Sequence, residues 1–369
     1  MGQDKSILVV NPGSTSIKVA VFRDSICINK STINHRISEL KGFLEIADQL
    51  EFRMNAVTKW MRDEGIDESS LEAVVGRGGL LRPTQSGTYV VTEKMVEDLK
   101  AGAGGQHAAN LGGMIAKEIA DRNNILAFVV DPVSVDELED IARVSGIPEI
   151  ERKSLIHALN IKSVCRYASK ELGRDVLDLN MIACHLGGGI SIAPVKCGRL
   201  IDVNNASESG PFSPDRAGSL PAGNVIELAF SGKLSLKEIK DKISVASGLA
   251  AYLGTNDVIE IDKRIEDGDK YAKLIFEAMA YQISKEIGAM ATVLYGKVDA
   301  IILTGGLANS KRLVDIIIER VKFISIAPIL IYPGEMEMVS LYEGALRVLE
   351  GFDKAKVYED EVFKNGREF

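Results

Sequence analysis

The chain has 369 residues, 46% of them hydrophobic and 26% charged, with a formal net charge of −8 at pH 7. This is the balance of an ordinary globular protein long enough for two domains. The negative sum argues against a nucleic-acid surface and against an anionic membrane, so an anionic substrate must be drawn by a local cationic site.

Met1-Gly2 with Ser6 spells a myristoylation motif, discounted here because the first strand is expected to begin at Ser6. The N-terminus does not read as a signal peptide, and no run of about 18 apolar residues predicts a membrane span. Ser6–Val10, Ile17–Phe22 and Ser25–Ile33 read as strands, with His35 after them expected at the surface. A helix is expected over Lys41–Glu64, where Phe43, Ile46, Ala47 and Leu50 recur at helical spacing. Leu71–Gly76 reads as a buried strand running into the turn GRGGLLRP. Thr92–Ala101 and Leu111–Asp121 read as helices, the second entered from AGAGGQH. Ile125–Val130 is an apolar strand ending at Asp131-Pro132, and Ser134 with Glu137 spells a capping box for a following helix.

The second half repeats this order. Asn180–His185 is an apolar strand; LGGG, Ser191–Lys196, a Gly-Arg turn and Leu200–Val203 follow. Ser235 with Glu238 caps a helix, and a long helix runs from Asp269 to Tyr295. Val298–Leu303 ends in TGGLANS, a helix reaches Val321, Ile329–Tyr332 is a last strand, and Glu335–Leu349 is a last helix. VVNPGSTSIKVAV and ACHLGGGISIAPV are both strand–turn–strand, which points to an internal duplication: two mixed sheets covered by helices, with a cleft between. Cys27, Cys165, Cys184 and Cys197 lie far apart without a C-x-x-C pair, which reads as a reduced, cytoplasmic setting.

Three glycine turns carry the chemistry. In NPGSTS, Gly13 lets a backbone approach a phosphate, and Ser14, Thr15 and Ser16 offer hydroxyls; alone, the same residues make an ordinary hairpin. In HLGGGIS, Gly187, Gly188 and Gly189 cost backbone entropy after a short strand, which favours a ligand role, and His185 stands beside them. In TGGLANS, Gly305-Gly306 ends a strand and a helix starts near Asn309 or Ser310, the arrangement that places ligands at carboxyl ends of strands. Arg77, Arg82 and Arg216 sit in glycine- or proline-rich turns, where a guanidinium suits carboxylate or phosphate oxygens or is simply solvated. His107 sits in a glycine-rich loop and His157 in a helical pattern. Asp131 ends a buried strand, as Mg²⁺-holding carboxylates do, or merely begins a turn with Pro132. No histidine spacing supports zinc, and no P-loop, dinucleotide or G-x-S-x-G motif is present.

The order NPGSTSIKVAVF, GRGG, QHAAN, FVVDPV, IHAL, CHLGGGISI, DRAG and TGGLANS resembles the acetate/butyrate kinase family, within the acetate and sugar kinase, heat-shock ATPase and actin superfamily. Asn11 to Lys18 resembles that family's N-A-G-S-S-S-x-K, and His185–Ser191 resembles H-L-G-N-G-A-S with glycine in place of asparagine. The short Arg-Gly-Gly turn, Asn-Pro-Gly and Gly-Gly-Gly look like the butyrate-using branch.

The resemblance implies an α/β fold of two duplicated RNase H-like, actin-like domains, 1–152 plus 338–369 and 153–337, the second binding nucleotide. It implies ATP-dependent phosphorylation of a short-chain carboxylate, with ATP/ADP and Mg²⁺ and a homodimer or higher homo-oligomer. Carried over by motif, Arg77 and Arg216 face carboxylate and transferred phosphoryl, with His157 and Asp131 as further catalytic residues. Asn11, Gly13, Ser14, Ser16, Lys18, His185, Gly187–Gly189, Gly305, Gly306 and Asn309 hold phosphate or nucleotide. Asn11 and either Glu335 or Glu337 hold the metal. Acetate, propionate or a branched acid as substrate, or a non-kinase actin-like nucleotide module, remain the alternatives.

Overall fold

The computed structural model describes residues 6–324 and 326–364, so the Met1-Gly2 motif lies outside the described residues. The chain divides into two compact units, Met1–Asp136 with Met336–Phe369 and Glu137–Glu335; the sequence reading put the first boundary at 152 and the second at 337.

In the first unit, β1 (Ser6–Pro12), β2 (Ser16–Arg23), β3 (Ile26–Asn34), β4 (Leu71–Arg77), β5 (Thr88–Val90) and β6 (Leu126–Val130) join the short Lys356–Val357 strand in a seven-stranded sheet. From one edge the order is Lys356–Val357, β5, β6, β4, β1, β2, β3. β1 is antiparallel to β2 and parallel to β4, and β4 is parallel to β6. Every residue of β1 is buried, as expected of a strand covered on both faces. On one face Leu8, Val10, Ile17 and Val19 pack with Met54, Val57 and Met61 of the Leu50–Asp63 helix and Leu111 and Ile115 of the Asn110–Asn123 helix. The Glu337–Leu349 helix also packs on β1, β4 and β6, with Leu341 and Ala345 buried and Tyr342 stacked on Phe22 at 4.6 Å.

In the second unit, β7 (Asn180–Leu186), β8 (Ile190–Lys196), β9 (Arg199–Leu200), β10 (Ala300–Gly305) and β11 (Ile329–Pro333) lie in the order β11, β10, β7, β8, β9. This repeats β6, β4, β1, β2, β3 of the first sheet position for position, with the same parallel and antiparallel pairings. The duplication read from two glycine hairpins is thus a duplication of whole sheets. The Lys270–Val293 helix packs on β7 and β8, and the Ala158–Leu172 helix on β7 and β10. The helix that follows β6 belongs to the second unit, and the helix that follows β11 belongs to the first.

Three local expectations are corrected. The helix expected from Lys41 begins at Leu50, after a 3₁₀ turn at Ala47–Gln49; Gly42 sits in the irregular stretch before it, and Ile46, Ala47 and Leu50 pack on the core regardless. No helix starts after Ser134. The Glu137 carboxylate is occupied instead by Lys162 Nζ at 2.7 Å and the Leu200 amide at 2.8 Å, and only a short helix follows, Asp140–Arg143. His35 is buried, not at the surface: its backbone N–H donates to Thr15 O at 2.8 Å and its ring lies 5.0 Å from Phe52. Among the described residues no helix is long and apolar enough to cross a membrane.

Candidate functional site

Three neighbouring parallel strands of the first unit, β1, β4 and β6, end together. Val10 is in register with Gly76, and Arg77 with Val130, so Asn11, Arg77 and Asp131 lie along one carboxyl edge. That edge is where open α/β sheets bind ligands. The first turn of the Glu337–Leu349 helix reaches the same place. Asn11 Nδ2 donates to Glu337 Oε2 at 2.7 Å, and Arg77 Nη1 lies 2.9 Å from Oε1 and 3.0 Å from Oε2. Arg77 Nη1 also lies 3.5 Å from Asn11 Oδ1. Of the two glutamates, Glu337 is therefore the one that meets Asn11. Asn11 and Glu337 are buried, and a carboxylate at a helix N-terminus gains from the dipole.

Arg77 makes all these contacts through Nη1. Its Nε and Nη2 have no partner among the described residues, and the side chain is partly exposed, which leaves part of its fork for an anion. The glycines around it have another task. A Cβ on Gly76 would fall 2.1 Å from Gly112 O, and one on Gly79 2.1 Å from Asn110 Oδ1. They let β4 and its turn touch the Asn110–Asn123 helix. Asp131 is buried at φ 39°, a left-handed backbone unusual for a side-chain-bearing residue. Its Oδ1 accepts from Gly87 N at 2.8 Å while its own N–H donates to Gly87 O at 2.9 Å, so it clamps the segment before β5.

The NPGSTS turn joins β1 to β2, with Ser14 exposed, Ser16 half-buried and Lys18 outward on β2 opposite Asn11. A residue the sequence reading missed stands behind it: Arg53, wholly buried, whose guanidinium donates to carbonyls of the turn. Burial lowers its pKa. The signal was available, since Arg53 shares the apolar stripe of Leu50, Met54, Val57 and Met61, where an arginine is rarely found.

The second unit gathers a different set. His185 lies near the end of β7, in register with Thr304 of β10, so the LGGG and TGG turns are neighbours. The rings of His157 and His185 stack at 4.0 Å, 10° from parallel. His157 Nδ1 lies 2.9 Å from Ser191 Oγ, and His185 Nδ1 lies 2.8 Å from Asn160 Oδ1. His157 precedes the first turn of the Ala158–Leu172 helix. Asn160 had no signal of its own in the sequence, and Ser191 entered only as the last residue of the HLGGGIS stretch.

Arg216 Nη1 donates to Ala206 O at 3.0 Å and lies 3.4 Å from Ser207 Oγ; burial lowers its pKa, opposed by the Asp215 charge. A Cβ on Gly189 would fall 2.4 Å from Arg216 Nη1, and one on Gly188 3.0 Å from Asp215 Oδ2. Ser213 Oγ donates to Gly188 O. The three-glycine turn is thus lined by the SPDR loop, and Gly189 is the residue that leaves space for the guanidinium. Gly305, at φ 89°, lies against Leu186, where a Cβ would fall 2.3 Å from its carbonyl oxygen. Gly306 faces open space, and Asn309 Nδ2 turns back to Gly306 O at 2.9 Å. Among the described residues no three His, Cys, Asp or Glu gather as a metal cluster. Glu337 and the Asn11 amide oxygen are hard oxygen donors, the type Mg²⁺ takes in ones and twos alongside phosphates and water.

The sequence pattern of the acetokinase family matches residues 149–329. A probable butyrate kinase 2 of Caldanaerobacter subterraneus subsp. tengcongensis is 54% identical over 352 residues, 95% of this chain and 99% of that protein. The butyrate kinase 2 of Clostridium acetobutylicum is 51% identical over 354 residues, 96% of this chain and 99% of its own length. The crystal structure of Porphyromonas gingivalis acetate kinase superposes with a TM-score of 0.77 over 94% of this chain and all of that one; at 20% identity this likeness is one of fold.

Proposed function

This chain belongs to the acetokinase family, and from that premise we propose that it phosphorylates butyrate with ATP, giving butyryl phosphate and ADP reversibly. One observation carries the substrate: near-complete collinearity with two butyrate kinases at over half identity. A butyrate oxygen attacks the γ-phosphorus, the bond from that phosphorus to the β-bridging oxygen breaks, and ADP leaves with the electron pair. Carboxylates are ionised at neutral pH, so the step needs no general base. The difficulty is charge, and catalysis rests on positioning and electrostatic stabilisation.

The groups of each unit suit that task. We assign Arg77, with its unspent donors, to the anionic carboxylate or the transferring phosphoryl, and Arg216 to phosphoryl charge. Gly13, Ser14, Ser16 and Lys18 in the first unit, and His185, Gly187–Gly189, Gly305, Gly306 and Asn309 in the second, are assigned to phosphates. His157 is assigned a hydrogen bond to the transferring group, oriented by Ser191. Asp131 follows β6, whose Val130 is in register with Arg77, and is assigned to the catalytic edge on that ground. Mg²⁺, when bound through Asn11 and Glu337, supplies countercharge to the phosphates. The same proposal places the enzyme in the cytoplasm, where its free thiols are stable, as a homodimer or larger assembly.

The test is hydroxamate trapping of acyl phosphate from ATP with acetate, propionate, butyrate and branched acids, ranked by kcat/KM. Highest kcat/KM for butyrate is the expected result. A different best acid corrects the substrate, and no acyl phosphate from any of them overturns the kinase reading.

A further inference from the structure

Arg53 has an unusual set of partners. It is 0% exposed, and among the described residues no carboxylate pairs with it. Its Nη1 donates to Gly13 O at 2.8 Å and Ser16 O at 3.3 Å, its Nη2 to Ser14 O at 2.7 Å, and its Nε to Gln49 Oε1 at 2.9 Å. The remaining turn carbonyl, Thr15 O, accepts from His35 N at 2.8 Å, and Gly13 N closes the turn on Ser16 O at 2.7 Å. Every carbonyl from Gly13 to Ser16 is therefore drawn to a donor. Ser14 and Thr15 are exposed.

Burying a guanidinium without a countercharge is costly, and a fold that does so gains something for it. A guanidinium is also a rigid fork that fixes several acceptors at once. With the carbonyls of Gly13, Ser14 and Ser16 held by Arg53, the exposed hydroxyls of Ser14 and Thr15 are left for a ligand, and a full positive charge stands behind the turn. Such a turn suits an anion.

We infer that Arg53 is a positioning residue that shapes the Gly13–Ser16 hairpin into a phosphate-binding turn. The inference rests on the kinase reading above for the identity of the anion, a phosphoryl group of ATP. Arg53 touches no substrate; it acts through the turn, and its buried charge is balanced when the phosphate binds. Lysine cannot replace it, because an ammonium has no planar fork to span three carbonyls.

The experiment compares Arg53→Met and Arg53→Lys with the parent chain. Folding is checked by near-ultraviolet circular dichroism and thermal unfolding. Affinities for ATP and for adenosine are measured by calorimetry, and kcat and KM by hydroxamate trapping. In Arg53→Met, kcat is expected to fall at least tenfold and ATP affinity about tenfold, with adenosine affinity within twofold of the parent; Arg53→Lys falls between. Gln49→Met, which removes only the Nε acceptor, gives a smaller change in the same direction and serves if Arg53→Met does not fold. The inference is overturned if ATP and adenosine weaken alike, in step with lost thermal stability, or if a folded variant keeps kcat and ATP affinity within twofold. A parent that binds ATP but makes no acyl phosphate defeats the kinase reading alone, because the ATP-to-adenosine comparison still judges Arg53. A parent that binds no ATP defeats both.

Discussion

Glu337→Gln probes the contact between the start and the end of the chain. The native carboxylate accepts from Asn11 at 2.7 Å and meets Arg77 at 2.9 Å, with the Glu337 side chain 9% exposed and that of Arg77 23%. Hydrogen bonds to charged groups contribute about 1.5–3 kcal/mol each. Water reaches Arg77, and glutamine keeps one neutral acceptor, so the substitution should cost about 2 kcal/mol. Arg77→Met leaves a mostly buried carboxylate without its cation and should cost about 2–3 kcal/mol. If the two act as a pair, the double variant costs little more than either single one, a coupling of about 1.5–2 kcal/mol. Trp60 is the only tryptophan and is buried in the first unit, so its fluorescence during urea unfolding reports that unit. Single-variant costs that add to within about 0.5 kcal/mol would falsify the pairing.

Other outcomes follow from the same geometry. Arg216→Ala should lower kcat about 10³-fold while ADP still binds, and near-normal turnover would remove Arg216 from the mechanism. Gly76→Ala, whose Cβ would meet Gly112 O at 2.1 Å, should destabilise the first unit by about 2–3 kcal/mol or prevent folding. Gly306→Ala has nothing within 4 Å and should stay within about 0.5 kcal/mol of the parent; weaker ATP binding there without lost stability marks a ligand role, and unchanged binding removes it. Burial raises the pKa of Asp98, but hydrogen bonds from Arg82, Tyr358 and Lys94 outweigh it, and the folded pKa is lowered. Its contribution is present above the unfolded value, about 3.9, and is lost as pH falls through the folded one. Melting temperatures of Asp98→Asn should therefore fall less steeply below about pH 4 than the parent's, and parallel curves refute the assignment.

The glycine turns were legible as turns, because glycines after an apolar strand end it by local chemistry alone. Their surroundings were not. Glu337 could not be separated from Glu335, since the partner that distinguishes them, Asn11, lies 326 residues away. The Ser134–Glu137 pattern is a sound helix start by local chemistry, and it lost to a tertiary competitor, Lys162. His35 and Arg53 are polar residues whose burial depends on each other's neighbourhood, Phe52 and the NPGSTS carbonyls. Periodicity describes a helix face; it does not say that the face meets a turn. The GRGG motif mixed two roles, with Arg77 beside Glu337 and Gly76 and Gly79 spent on helix contact.

The exchange of terminal helices sets an order of events during synthesis. The second unit is one continuous stretch, Glu137–Glu335, whereas the first needs Met336–Phe369, which is made only after the whole of the second. Elongation at about 5–20 residues per second leaves time for a continuous unit to fold first. The earlier-made half is thus the later to mature: Asn11 and Arg77 emerge early and wait for Glu337. Until then β1, β4 and β6 lack the helix that packs on them, and the apolar face that Leu341 and Ala345 cover stays open.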